Sequence, residues 1–243
     1  MCTVTFIPLT NHCYLTSNRD EHSTRGQAAT PKKIKTNGFE ILFPKDADAG
    51  GTWIATKNTG EVIVLLNGGF YKHQPTPPYK KSRGIILLNI FSEIDALHTL
   101  ETEDLNNIEP FTLVYFSNQL LTEFRWDGLI KHFKELNSSM PHIWSSVTLY
   151  ESDIIKKRET WFYEWLNSNP TPELKEILDF HLNAGEGDAS IDINMNRNDE
   201  FFTVSVSSIF ISKKCNEFNY IDLINNKSFK ESLTIKSDNF QLS

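Results

Sequence analysis

MCTVTFIPLTNHCYLTSNRDEH, residues 1–22, contains two β-rich runs at 3–7 and 13–18, separated by a turn composition at 8–11. β-Branched and aromatic residues favour strands, whereas Pro and Asn favour turns. An antiparallel hairpin around this turn pairs positions whose numbers sum to about 20 or 21. Position 2 then lies across from Asn18 or Arg19, within the densest polar cluster of the chain, residues 17–22.

Cys2 is the candidate nucleophile, because it directly follows Met1. Removal of Met1 would leave Cys2 with a thiol and a free α-amine. An α-amine with a pKa of about 8 can take the thiol proton, and the thiolate attacks carbonyl carbons. A nucleophile and a base on one residue define N-terminal-nucleophile (Ntn) catalysis. The alternative is a Met-Cys start that arose by chance, with Cys2 packed in a strand.

The polar cluster across from position 2 supplies groups that suit such a nucleophile. Asp20 could accept a hydrogen bond from the α-ammonium or the thiol. Arg19 could lower the thiol pKa or hold a substrate carboxylate. Asn18 could donate to an oxyanion and contact substrate. The alternative is a strand that ends in an ordinary polar turn.

Composition excludes several classes of protein. The 243 residues carry a net charge of −7, so we expect no nucleic-acid partner. Three cysteines and seven scattered histidines give neither a disulfide framework nor metal-ligand spacing, and no cofactor motif is present. We also expect no signal peptide and no integral membrane segment, which favours a cytoplasmic protein.

The remaining pattern predicts one α+β domain over residues 1–243. Strands precede and follow a helical region, without the strict alternation of parallel α/β folds. The predicted strands are 39–43, 52–57, 61–67, 111–117, 120–126, 142–149, 201–211, 219–224 and 228–235, and the predicted helices are 85–97, 152–167 and 171–185. Lys32-Lys33-Ile34-Lys35 is interpreted as a solvated loop or strand edge.

The chain resembles the NRDE family, also called the Transport-and-Golgi-organisation protein 2 family. The resemblance rests on Met1-Cys2, Ser17-Asn18-Arg19-Asp20-Glu21, Ala49-Gly50-Gly51-Thr52-Trp53-Ile54-Ala55, Leu65-Leu66-Asn67 and Ser82-Arg83-Gly84. That family in turn is similar to cysteine Ntn hydrolases such as penicillin V acylase and bile salt hydrolase. The resemblance implies a four-layer αββα sandwich of two antiparallel sheets between helices. It also implies that Cys2 is the nucleophile, that Asp20 holds its amine, that Arg19 contacts thiol or substrate, and that Asn67 is an oxyanion donor.

Other positions depart from the family pattern or extend it. Ser146 stands where the hydrolases place a second oxyanion Asn, and Val204 replaces a potential active-site Arg; both changes bear on hydrolytic competence. His142 lines the site by the same resemblance, or packs in the core. Arg83 closes the basic loop that follows Asn67, which suits an anionic substrate or is a solvated loop.

We therefore predict an Ntn cysteine hydrolase or acyltransferase acting on a linear amide or thioester of a small acyl substrate, that is, on C–N bonds other than peptide bonds. The alternative is a non-catalytic ligand carrier on the same scaffold, since the resemblance also implies haem or acyl-CoA and lipid trafficking. The sequence leaves the substrate and the oligomeric state open.

Overall fold

Two stacked antiparallel sheets lie between two pairs of helices in the computed structural model, which describes residues 3–236. Sheet I has the spatial order β10 (His142–Ser145), β1 (Thr3–Pro8), β2 (His12–His22), β12 (Phe201–Ser212), β13 (Cys215–Asp222) and β14 (Lys227–Thr234), with β11 (Asn196–Arg197) paired to β12. Sheet II has the order β3 (Ala29–Thr36), β4 (Phe39–Lys45), β5 (Ile54–Lys57), β6 (Val62–Asn67), β7 (Phe111–Ser117), β8 (Leu120–Trp126) and β9 (Lys131–Leu136). The helices are α1 (Arg83–Phe91), α2 (Ala96–Thr102), α3 (Ser152–Ser168) and α4 (Leu174–Asn183).

Three apolar cores separate the four layers. Val4, Phe6 and Leu15 of sheet I pack against Val64 and Leu66 of sheet II in the core between the sheets. A second core joins the outer face of sheet II to α1 and α2, through residues such as Ile63, Leu65, Ile86 and Leu100. A third joins the outer face of sheet I to α3 and α4, through Ile7, Tyr14, Phe162 and Phe180. The α+β class predicted from the sequence pattern and the αββα architecture that the resemblance implies are both confirmed.

Because side chains alternate along a strand, β1 and β2 each contact both neighbouring layers. In β1, Val4 and Phe6 face sheet II, whereas Thr5 and Ile7 face the helices. In β2, Leu15 faces sheet II. Successive side chains in a strand point to opposite faces, so Arg19 shares the face of Leu15.

Several elements differ from the prediction. Strands β9 and β11 were not predicted. The lysine run, interpreted as a solvated loop or strand edge, lies in β3 at an edge of sheet II, where charged side chains discourage further pairing. The predicted helix 85–97 is two helices, because the Asp95 side chain accepts from the His98 amide and starts α2 anew. Strand β10 ends at Ser145, well before the predicted end. No helix within residues 3–236 combines the length and the apolar character needed to cross a bilayer.

The two glycine-containing motifs meet at the start of α1. A Cβ atom on Gly51 would lie 2.3 Å from the carbonyl carbon of Gly84, and one on Gly84 would lie 2.7 Å from the carbonyl oxygen of Thr52. The Thr52 amide donates to the Gly84 carbonyl at 3.3 Å. Glycine is required at both positions because backbone packs directly on backbone.

A buried polar contact fixes β2 against α4. The Asn18 amide donates to the carbonyls of His181 and Ile193, both at 3.0 Å. Its Oδ1 atom must therefore accept from His181 Nδ1, 2.5 Å away, which leaves Nε2 to accept from the Thr5 hydroxyl at 2.8 Å. Burial, helped by the positive charge of Arg158, lowers the pKa of His181 to about 3, so the ring is neutral.

This histidine predicts an acid-sensitive fold. The folded-state pKa of His181 lies below the unfolded value of about 6.5, so the unfolded chain binds the extra proton and stability falls as pH drops below that value. We expect the free energy of unfolding to fall by about 1 kcal/mol per pH unit between about pH 6 and 5, above the range of carboxyl titration. Urea denaturation at a series of pH values measures this slope.

His181→Gln is the matched control, because glutamine does not titrate. We expect this variant to be less stable at neutral pH but to lose the slope. An equal slope in both proteins would assign the acid sensitivity to other groups.

Candidate functional site

The start of β1 is enclosed on both sides within sheet I. Thr3 pairs with Asn18 of β2 and with Ser145 of β10. The β1–β2 register runs from Thr3↔Asn18 to Pro8↔Cys13, so paired numbers sum to 21 and the predicted register is confirmed for these residues. Cys2 itself lies outside the described residues.

Arg19 extends from this point toward sheet II. Its side chain is buried, with the guanidinium carbon 4.6 Å from the centre of the Trp53 ring. Its Nη2 atom lies 2.6 Å from Asp46 Oδ2 and 3.3 Å from Glu21 Oε2. Two carboxylates and an aromatic ring therefore hold the Arg19 guanidinium in a fixed position.

Asp46 remains ionised beside Arg19. Burial raises the pKa of its carboxyl, but the Ala49 amide and the charges of Arg19 and Arg25 more than offset that, so the pKa lies below its ordinary value. Arg25 Nη2 contacts Asp46 Oδ1 at 2.9 Å. The loop that carries the Gly50-Gly51 pair is thus tied to the polar end of β2.

Asp20 points to the opposite face of sheet I. Its carboxylate is 1 % exposed and accepts from the Tyr150 hydroxyl at 3.0 Å and from the Thr203 hydroxyl at 2.6 Å. Strand β12 has an irregularity between Thr203 and Ser205, next to this contact. The residue between them is Val204, the position at which the resemblance leads us to expect an Arg.

Asn67 and Ser146 meet where the two sheets come together. The Ser146 hydroxyl donates to the Asn67 carbonyl at 2.8 Å, and the Thr148 hydroxyl lies 2.9 Å from the same Ser146 oxygen. Ser146 directly follows Ser145, the partner of Thr3. Because its one hydrogen is used by Asn67, Ser146 anchors the end of β6 and has no hydrogen to offer an oxyanion.

Two of the predicted substrate-binding residues lie elsewhere. Asn18 donates both amide hydrogens to carbonyls of the helix layer, so neither is directed at the space between the sheets where Arg19 contacts Asp46. His142 pairs with Phe6, at the far end of β1 from Thr3, and its Nε2 atom lies 2.8 Å from the Asn137 carbonyl. The sequence pattern correctly predicted that both residues lie in strands, but it did not indicate which way their side chains point.

Arg83 lies at the start of α1 and directly follows loop 68–82, here called the rim. Its guanidinium contacts Glu109 Oε2 at 3.0 Å and the Pro110 carbonyl at 3.3 Å. Two of the three lysines of the same loop are also paired, Lys72 with Glu151 and Lys80 with Asp104. The rim is therefore less positive than the sequence alone indicated.

Sequence reasoning missed the residues that hold Asp20. Tyr150 and Thr203 come from distant parts of the chain, and Arg158 contacts the Tyr150 ring. One signal was available: Arg158 is four residues from both Ile154 and Phe162, so it interrupts the apolar face of α3. Within residues 3–236, no cluster of three or more His, Cys, Asp or Glu side chains could hold a metal ion.

Two solved structures with a similar fold are a hydrolase ortholog and a hydrolase mutant. An ortholog of N-acylethanolamine-hydrolyzing acid amidase from Caenorhabditis elegans matches with a TM-score of 0.59 and 10% identity, covering 86% of this chain and 92% of that one. A mutant of the conjugated bile acid hydrolase from Clostridium perfringens matches with a TM-score of 0.55 and 12% identity, covering 99% of this chain and 100% of that one. At these identities the likeness extends to the fold alone.

Sequence comparison identifies the family. No curated protein matches the chain. The family model described as Transport and Golgi organisation 2 matches residues 1–223, which include Cys2, the polar cluster at 17–22 and both glycine motifs. The chain therefore belongs to the Transport and Golgi organisation 2 family, on an Ntn-hydrolase-like αββα fold.

Proposed function

We propose that this protein is a cysteine Ntn hydrolase or acyltransferase that acts on a linear amide or thioester of a small acyl substrate. The observation that carries the proposal is the burial of Arg19 and Asp20, which are 3% and 1% exposed, at the strand end that faces Thr3. Burying charged groups costs free energy that an apolar core would not require, and such groups are concentrated at functional sites. Cys2 is joined to Thr3 by a single peptide bond.

In this mechanism Met1 is removed and the Cys2 thiol gives its proton to its own α-amine. The sulfur forms a bond to the substrate carbonyl carbon, and the carbonyl oxygen becomes an oxyanion. The ammonium then returns the proton to the leaving nitrogen or sulfur as the C–N or C–S bond breaks. Water, or an acceptor amine in a transfer reaction, attacks the resulting thioester with the α-amine as base, and the thiol is restored.

Each neighbouring residue has a separate role. Asp20 holds the α-amine by a charge-assisted hydrogen bond. Arg19, fixed by Asp46 and Trp53, gives the thiolate a positive neighbour. Asn67 donates to the oxyanion, and Ser146 holds its carbonyl so that the side chain keeps its direction. Arg83 remains the candidate for an anionic group of the substrate at the rim.

A ligand carrier is the second candidate, and two observations favour it. The Ser146 hydroxyl is used by Asn67, and Val204 puts an apolar side chain where an Arg would add positive charge. Both features remove a group that would stabilise the transition state. A carrier would bind haem, an acyl-CoA or a lipid at the same site, around Arg19 and Asn67, without turning it over.

The direct test is a panel of N-acyl amides and acyl thioesters with wild type and Cys2→Ala. We expect wild type to cleave at least one class and to accumulate a Cys2 acyl adduct, seen by intact mass. Loss of the nucleophile should lower kcat about 1000-fold or more.

Cys215→Ala is the matched control, since Cys215 is a half-exposed thiol on β13, and it should retain full activity. Cys13 is unsuited to catalysis because burial raises its pKa to about 12. A protein that binds a panel member equally well with and without Cys2, and turns over none, would establish the carrier.

Asn67 gives a second test of the oxyanion role. Asn67→Asp keeps the side-chain shape, loses the donors and adds negative charge, so we expect kcat to fall about 100-fold with little change in KM. Asn106→Asp, an exposed amide in the loop before β7, serves as control and should be unaffected. Equal kinetics for Asn67→Asp and wild type would exclude Asn67 from the oxyanion hole.

A further inference from the structure

Arg158 is a fully buried cation on α3 whose hydrogen-bond acceptors are neutral oxygens. Its Nη1 atom donates to the Thr3 hydroxyl at 2.6 Å, Nε to the Ile191 carbonyl at 3.0 Å, and Nη2 to the Asp192 carbonyl at 2.5 Å. No carboxylate of residues 3–236 forms an ion pair with it, and burying an unpaired guanidinium is costly. The contact of Arg158 with Thr3 places this cation next to the residue that follows Cys2.

The same guanidinium stacks on Tyr150. Its carbon atom lies 3.6 Å from the centre of the ring, and the guanidinium of Arg197 approaches the same ring at 5.2 Å. Arg197 also donates to the Leu149 carbonyl at 3.0 Å, which fixes the backbone next to Tyr150. Two cations therefore hold one buried aromatic ring in place.

Tyr150 connects these cations to Asp20. Its hydroxyl donates to Asp20 Oδ2 at 3.0 Å, while Thr203 donates to Oδ1 at 2.6 Å. Hydrogen bonds in a buried network polarise one another, so a cation on the ring strengthens donation by its hydroxyl. Arg158 thus contacts Thr3 directly and Asp20 through Tyr150.

We propose that Arg158 and Tyr150 are positioning residues, which set the distance and direction between Cys2 and the Asp20 carboxylate. This inference rests on the proposed function, since it assigns Asp20 to the α-amine of Cys2. One side chain fixes both partners of that contact: Thr3 from the strand that carries Cys2, and Asp20 from the neighbouring strand.

The test is the pH profile of Cys2 alkylation by iodoacetamide in the full-length protein, followed site by site by mass spectrometry. Tyr150→Phe keeps the ring under the guanidinium and removes one hydroxyl donor from Asp20. A less firmly held Asp20 retains the Cys2 ammonium less well, and that charge favours the thiolate. We expect alkylation at neutral pH to slow about tenfold and the midpoint of the profile to move upward.

Tyr115→Phe is the matched control. Tyr115 is also buried, and its hydroxyl donates to the Glu61 carboxylate at 2.6 Å, but it lies in sheet II, on the face toward α1 and α2. Its loss should lower stability and leave the Cys2 profile unchanged. Equal shifts in both variants would overturn the inference, because they would report a general loosening of the fold.

The two hypotheses fail in different ways. If wild-type Cys2 reacts no faster than Cys215, the proposed function is wrong, and the inference is wrong with it. If wild-type Cys2 is reactive and Tyr150→Phe has the wild-type profile, the inference alone is wrong.

Arg158→Lys tests the guanidinium itself, because lysine keeps the charge and loses the planar, three-way hydrogen bonding. We expect a shift in the same direction as for Tyr150→Phe. In the double variant the combined shift should be smaller than the sum of the two, since both changes act on one network. Additive shifts, or no shift in a folded Arg158→Lys protein, would overturn the role of Arg158.

Discussion

The backbone pairing of Thr3 is the constraint on which the rest of the structure depends. Asn18 and Ser145 flank it within sheet I, and Arg158 holds its hydroxyl from the helix layer. The start of β1 is therefore fixed from three directions. The polar residues of both sheets are arranged around that point: Arg19 reaches Asp46 toward sheet II, and Ser146 reaches Asn67.

Buried charge is distributed unevenly around this strand end. Between the sheets, Arg19 is matched by Asp46 and Glu21. Toward the helices, Arg158 has neutral acceptors and an aromatic ring, and Asp20 accepts from two hydroxyls. The helix side thus separates a buried cation from a buried anion by one tyrosine.

Much of the fold could be predicted from sequence, because local patterns encode it. The turn composition at 8–11 set the β1–β2 register, and the amphipathic pattern identified α3 and α4. The charged edge strand β9 carries a weak local signal and was missed. Both glycine motifs are visible in the sequence, but only the folded structure shows that Gly51 and Gly84 pack backbone against backbone.

The candidate site was less predictable, since its contacts join residues far apart in the chain. The sequence brought Arg19 and Asp20 to the strand end, yet Tyr150 and Thr203 lie 130 and 183 residues from Asp20. Asn18 was expected to face the site and instead holds α4, because alternation puts it on the opposite face from Arg19. A single buried Arg on an apolar helix face was the one signal that pointed to this network.

The central claim is that the Cys2 amine is free to act as the base beside these groups. Intact-mass measurement of the full-length protein, made from its own start codon, tests this most directly. We predict a mass lower than that of the encoded chain by one methionine residue, with Cys2 as the first residue by N-terminal sequencing. Retention of Met1 would lock that nitrogen in a peptide bond and contradict the account.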